Sequence, residues 1–293
     1  MKYNFISGQD LLEKCAKYDM KIHELCLERE VELSGLSREE ILTKMHSALT
    51  IMKDAIKKAE EEDIKSMGGL IGGEAKKLSL FRNSNSKTVC GTLMNKAMSA
   101  SMGTMEVNAS MGLVVAAPTA GSCGILPGAI VTIGNEYDFS DEEMVQALLS
   151  ASAIGAIITR NATVSGAEGG CQAETGAAAA MASAGVVEMM GGTPNQAIHA
   201  ASHCLQNVMG LVCDPIAGLV EAPCQGRNAI GVANALISAE LSLCNILNVI
   251  PFDENVEAMY IVGKTLPMEL RETALGGAAA TCTGCNLTKK IFG

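Results

Sequence analysis

Along this chain no alternation of apolar and polar residues persists at strand period. Apolar residues recur instead in runs broken by Gly, Pro and Asp, a pattern that admits helices and offers nothing to a sheet. Aromatic residues make up 3% of the chain and Trp is absent, with Ala, Gly, Ser and Met filling the gap. Small side chains let helix backbones approach closely. The predicted fold is therefore all-α, a tightly packed helical domain at residues 66–293 preceded by an N-terminal helical hairpin at residues 1–65. With 293 residues, 48% of them hydrophobic, a sizeable core is available.

Several function classes drop out. A net charge of −10 argues against a nucleic-acid or anionic-membrane surface. Mean hydropathy is positive, yet the uncharged stretch 107–135 holds Pro118, Pro127 and five Gly, which would break a spanning helix. The apolar stretch 144–159 is shorter than the roughly 20 residues a span needs. The first residues, MKYNFISGQDLLEK, have no signal-peptide apolar core, so the expected compartment is the cytoplasm. In that reducing setting eleven cysteines are not a disulfide framework. Buried hydrophobic thiols and a few ligands are the expected roles.

Helical spacing covers residues 8–34 and 37–60, with Ser7 as the N-cap of the first. Ser37 and Glu40 form a capping box for the second. Paired glycines end the pattern in MGGLIGGEAKKL (67–78), which reads either as a mobile loop over a site, with Glu74, Lys76 and Lys77 beside it, or as a linker. Further helices are predicted at 88–111, 139–159 (N-cap Ser140), 172–190, 194–212, 225–248, 253–262 and 267–280. His199 and His203 share a helix face, but Ala200 stands where a zincin motif needs Glu, so they read as structural or surface residues. Cys204 beside them reads as core.

Between these helices lie two polar, Gly-rich segments. In 107–133, Asn108, Ser110, Thr119, Ser122 and Cys123 interrupt an apolar region. Gly121 to Gly124 lead into the apolar run 125–133, a geometry whose free N–H groups suit a carboxylate. In 165–227, Cys171, Cys213 and Cys224 each sit in a turn beside an acid or an amide rather than in an apolar stripe. Cys171 opens a helix, where the dipole and free N–H groups are expected to lower the thiol pKa.

Four motifs in order, APTAGSCGILPG (117–128), SGAEGGCQAE (165–174), CDPIAGLVEAPC (213–224) followed by QGRNAIG, and RETALGGAAAT (271–281), resemble the alpha chain of the iron–sulfur L-serine dehydratases. The resemblance spans nearly the whole chain. It implies a helical catalytic domain around a [4Fe–4S] cluster held by Cys171, Cys213 and Cys224, with the fourth iron left open. Thiolates are the usual ligands of such clusters, and an open position is where a Lewis acid works. The implied reaction is β-elimination of water from L-serine, giving pyruvate and ammonia, without pyridoxal phosphate. Lys96 has no recognisable Schiff-base surroundings.

Motif positions make Asn108, Thr119, Ser122, Cys123 and Glu168 the candidates for binding substrate; the general base has no candidate. In the family a Ser-Ser-Ser-His-Thr stretch lies on a separate beta chain or a fused domain. This chain lacks it, which implies a beta-chain partner. Cys282 and Cys285 form a C-x-x-C near the C-terminus and are either a displaceable fourth ligand or ordinary thiols. Two other readings compete: an iron–sulfur lyase acting on L-cysteine or L-threonine, and a non-catalytic subunit.

Overall fold

The computed structural model describes residues 1–84 and 87–293. Among the described residues there are thirteen α-helices and no strand, as expected for an all-α chain. Helix α9 (Ala177–Met189) is the axis of the packing. It is apolar almost all round and buried from Ala177 to Glu188, as a helix without a polar face must be. Four helices surround it: α6 (Ile125–Glu136), α7 (Asp141–Asn161), α10 (Pro194–Asn207) and α11 (Cys224–Leu243). Its small residues set the spacing. A Cβ on Gly185 would lie 2.7 Å from the Ala147 carbonyl of α7 and 3.0 Å from Ile130 of α6.

The N-terminal helices join the same core. Leu11, Ile22, Leu25, Ile41 and Leu49 belong to one buried cluster with Ile125, Leu148, Ile154 and Val187. The helix expected over 8–34 is two helices, α1 (Gly8–Tyr18) and α2 (Ile22–Ser34). Asp19 turns left-handed at φ 50°. The first amide of α2 then finds its acceptor far away, Ile22 N–H donating to Glu188 of α9 (3.0 Å). That carboxylate at a helix N-terminus offsets the break, and no local sequence signal announces it. The expected caps are present: Ser7 accepts from Asp10 N–H, Ser37 and Glu40 form the capping box of α3 (Arg38–Glu61), and Ser140 and Glu143 that of α7.

The stretch 67–78 divides. Residues 74 onward begin α4 (Glu74–Asn83), and α5 (Gly91–Ala109) follows. The part before α4 is bonded rather than loose: Met67 N–H donates to the Ala109 carbonyl and Ser66 N–H to that of Ile71.

Residues 267–280, expected as a helix, form two short 3-10 turns, Met268–Leu270 and Gly277–Ala280. Between them Glu272 and Ala274 have positive φ. The backbone here serves Cys213 instead, accepting from Cys213 N–H at Leu270 O (2.9 Å) and donating from Glu272 N–H to Cys213 O (2.7 Å). Helix α12 (Phe252–Thr265) precedes this segment and α13 (Cys282–Phe292) ends the chain.

Candidate metal centre

Each of the three turn cysteines is held by a different device. Cys171 follows the short helix α8 (Gly166–Gly169) and Gly170, whose φ of 76° suits glycine. A Cβ there would also strike the Leu211 carbonyl at 2.8 Å. After Cys171 comes one π-helical turn, Gln172–Gly176, before α9 begins. Such turns recur at functional sites because they redirect side chains. Gln172 locks it, donating to the Gly169 and Met259 carbonyls (both 2.9 Å) and accepting from Gly210 N–H (2.7 Å).

Cys213 is clasped by the 270–272 backbone described above. Its neighbour Asp214 pairs with Arg227 (2.7 Å) and accepts from Ala278 N–H (2.6 Å). Cys224 is the first residue of α11. Asn228, one turn on and fully buried, donates to the carbonyls of Cys224 (2.9 Å) and Gly121 (2.8 Å) and accepts from Gly124 N–H (3.0 Å). One side chain thus ties the Gly-rich loop to the Cys224 turn.

The three thiols share one electrostatic environment. Burial is the main reason their protons are held tightly. Cys171 is pushed up to about 11 and Cys224 to about 12, and Cys213 is raised further still. Cys213 is raised next by Glu174, then by Cys171, Glu272 and Cys224 in turn. Arg227 opposes these charges at Cys171 and Cys224. Cys171 was expected to have a lowered pKa as a helix-opening residue. In the structure desolvation in company with Glu174 outweighs the dipole.

The donor set fits a soft metal group. Three thiols from three separate turns are near enough that Cys171 and Cys224 each raise Cys213, and a metal would displace protons that burial otherwise retains. Glycine lets the backbone approach this closely: a Cβ on Gly166 would lie 2.9 Å from Cys213 Sγ and 2.7 Å from Glu174 Oε2. Among the described residues no three His, Cys, Asp or Glu side chains meet as a single-ion site.

Glu174 joins the two Gly-rich segments. Its Oε1 accepts from the Thr119 hydroxyl (2.8 Å), and the Cys213 thiol donates weakly to its Oε2 (3.8 Å). Burial raises it to about 7. Thr119 also lies 3.1 Å from the buried Ser122 hydroxyl, and Asn108 donates to the Ala120 carbonyl (3.2 Å). Cys123 is fully buried against Met105 (3.5 Å) and clusters with Cys224. Glu168 is exposed and takes no part in these bonds.

The loop's expected free amides are mostly engaged, with Ser122, Cys123 and Gly124 N–H bonded to Thr119 O, Ala120 O and Asn228 respectively. Of the other residues weighed, His203 bonds the Ile246 carbonyl (3.0 Å), Cys204 is buried core, and Lys96 pairs with Glu136 (2.7 Å). Cys282 and Cys285 are exposed at the start of α13, which packs on the 216–218 turn between Cys213 and Cys224.

Glu174, Asp214, Arg227, Asn228 and Glu272 escaped the sequence reading. A signal for two of them was present: Glu174 and Arg227 each follow a site cysteine by three residues, one helical turn.

The family model described as "Serine dehydratase alpha chain" matches residues 17–279, a span that includes the first three motifs whole and the fourth as far as Ala279. This chain belongs to the serine dehydratase alpha-chain family. Its relatives in that family include the L-serine dehydratase alpha chain of Peptoniphilus asaccharolyticus, 46% identical over 98% of each chain. The probable L-serine dehydratase alpha chain of Bacillus subtilis is 44% identical over 99% of this chain and 96% of its own. L-serine dehydratase 2 of Escherichia coli is 32% identical and longer; the alignment covers 97% of this chain and 63% of the relative. No helix is long and apolar enough to cross a membrane among the described residues.

Proposed function

We propose that this member of the serine dehydratase alpha-chain family carries the L-serine ammonia-lyase reaction, the elimination of water from L-serine to give pyruvate and ammonia. The observation that carries this reading is the joining of three buried cysteine turns to the Gly-rich loop through Thr119–Glu174 and Asn228. Cys171, Cys213 and Cys224 would hold a [4Fe–4S] cluster, for which three soft thiol donors are suited. When bound, such a cluster supplies Lewis-acid activation of the substrate hydroxyl as a leaving group.

The protein's own groups bind and orient. The hydroxyls of Thr119 and Ser122 and the Asn108 amide border the loop nearest Glu174, and they offer the mixed donors and acceptors that an amino acid's ammonium and carboxylate require. Cys123 packs behind them. Exposed Glu168 would reach substrate only from the rim. Glu174 Oε1 orients the Thr119 hydroxyl, and burial lets Glu174 keep a proton near neutrality. A beta chain is the proposed partner, and the cytoplasm the proposed compartment.

Anaerobic purification with iron and sulfide analysis tests the centre, and single Ala variants at Cys171, Cys213 and Cys224 test the ligands. Unchanged iron in all three would sink the ligand assignment. Pyruvate released from L-serine after co-expression with a beta chain tests the reaction. A panel with L-threonine and L-cysteine tests the competing substrates.

A further inference from the structure

One buried carboxylate between Cys213 and Cys224 has no part in the site described above. Glu221 is 2% exposed and lies three residues before Cys224. Three donors from a segment about 150 residues earlier converge on it: the Ser66 hydroxyl (2.7 Å), Gly68 N–H (2.6 Å) and Leu70 N–H (3.0 Å). Ser66 in turn accepts from Ile71 N–H (3.2 Å), closing the loop on itself. The contact leaves no room for a larger residue. A Cβ on Gly68 would lie 2.4 Å from Leu219 Cδ1 and 2.9 Å from Glu221 Oε1.

The residue after Cys224 grips the other end of the same loop. Gln225 donates to Glu106 Oε1 (3.0 Å), which also accepts from Ala75 N–H (3.0 Å) in the first turn of α4. Gln225 lies 3.4 Å from Glu74 Oε2, itself bonded to Gly72 N–H (2.6 Å). The main chain links the two grips, Gln225 N–H donating to Glu221 O (2.9 Å). Residues on either side of Cys224 therefore hold both ends of the 66–75 loop. A buried carboxylate with several charge-assisted bonds is costly to leave unpaired, so the loop and the Cys224 turn behave as one unit.

We propose that Glu221 is a positioning residue for Cys224, clamping the Gly-rich loop 66–70 against the turn that presents this thiol. The placement of one cysteine of the centre then depends on a segment remote in sequence. The link to iron rests on the reading of Cys224 as a cluster ligand, while the clamp itself rests on the bonds alone.

The test uses the full chain with Glu221→Ala, Gly68→Ala and the milder Glu221→Gln. In the metal-free protein, iodoacetamide alkylation of each cysteine is followed by mass spectrometry, with buried Cys204 and Cys26 as internal controls. Cys224 is expected to react about tenfold faster in Glu221→Ala and Gly68→Ala, with the controls unchanged, as local opening requires. Glu221→Gln, which keeps one acceptor oxygen, gives a smaller rise and decides the matter if the other two do not fold.

Parent-level reactivity at Cys224, or a rise matched at Cys204, overturns the clamp. Iron retained after anaerobic reconstitution is the second readout, and it is expected to fall in the same order as Cys224 reactivity rises. Full iron in variants whose Cys224 has become reactive overturns the link to the cluster. A parent that binds no iron refutes the cluster reading, and alkylation still decides the clamp.

Discussion

The Thr119 hydroxyl donates to Glu174 Oε1 across 2.8 Å, and this bond joins two segments 55 residues apart in the chain. Thr119 belongs to the Gly-rich loop and Glu174 to the π-helical turn after Cys171. Their contact makes one site of what the sequence presents as two motifs.

Thr119→Val keeps the side chain's shape and removes that donor. Glu174 stays buried with one oxygen unpaired, a loss of about 1–3 kcal/mol. Turnover of L-serine by the assembled enzyme is expected to fall about tenfold to hundredfold if that interaction orders the substrate loop. Iron content should stay at the parent level. Parent-like kcat/KM would show that the loop's order does not depend on this bond.

Asn228→Ala removes three bonds at once and strands the Gly121 carbonyl and the Gly124 amide, while the Cys224 carbonyl keeps its helical partner. The expected cost is about 2–4 kcal/mol. A urea midpoint within experimental scatter of the parent would contradict it.

Arg227→Met leaves Asp214 buried with only the Ala278 amide for a partner. Breaking a buried pair on one side costs about 3–5 kcal/mol. Adding Asp214→Asn should recover part of that loss, since the orphaned charge goes with it. A double variant no more stable than Arg227→Met alone would refute the pairing as the cause. Equilibrium unfolding of all three variants with the parent gives the cycle.

Gly185→Ala tests the packing around α9. Alanine is the better helix former by about 1 kcal/mol. Its Cβ would press to 2.7 Å on the Ala147 carbonyl, a backbone atom that cannot rotate aside. Overpacking costs about 1–3 kcal/mol and should win, lowering the thermal midpoint. A raised midpoint would mean that α7 and α9 slide apart without penalty.

Much of the helical layout was legible because its signals are local. Ser7, Ser37 and Ser140 mark helix starts through side chains that bond within three residues. The break at Asp19 was not legible, since the amide it frees is satisfied by Glu188, 166 residues from Ile22. The non-helical course of 267–280 was hidden for the same reason, its backbone being taken by Cys213. At the site, Cys171, Cys213 and Cys224 stood out by their setting in turns. Glu174 did not, although it lies inside a quoted motif, because its meaning depends on Thr119 being folded against it.

By itself the sequence determined an all-α chain, the positions of its caps, and the motifs that place it in the serine dehydratase alpha-chain family. Only the tertiary structure decided which polar groups meet: Thr119 with Glu174, Asn228 between Gly121 and Cys224, Glu221 with loop 66–70. The physical reason is one of range. A cap or an apolar stripe is satisfied within a few residues and leaves a periodic trace in the sequence. A buried carboxylate or amide must find donors wherever packing brings them, and sequence separation carries no record of that choice.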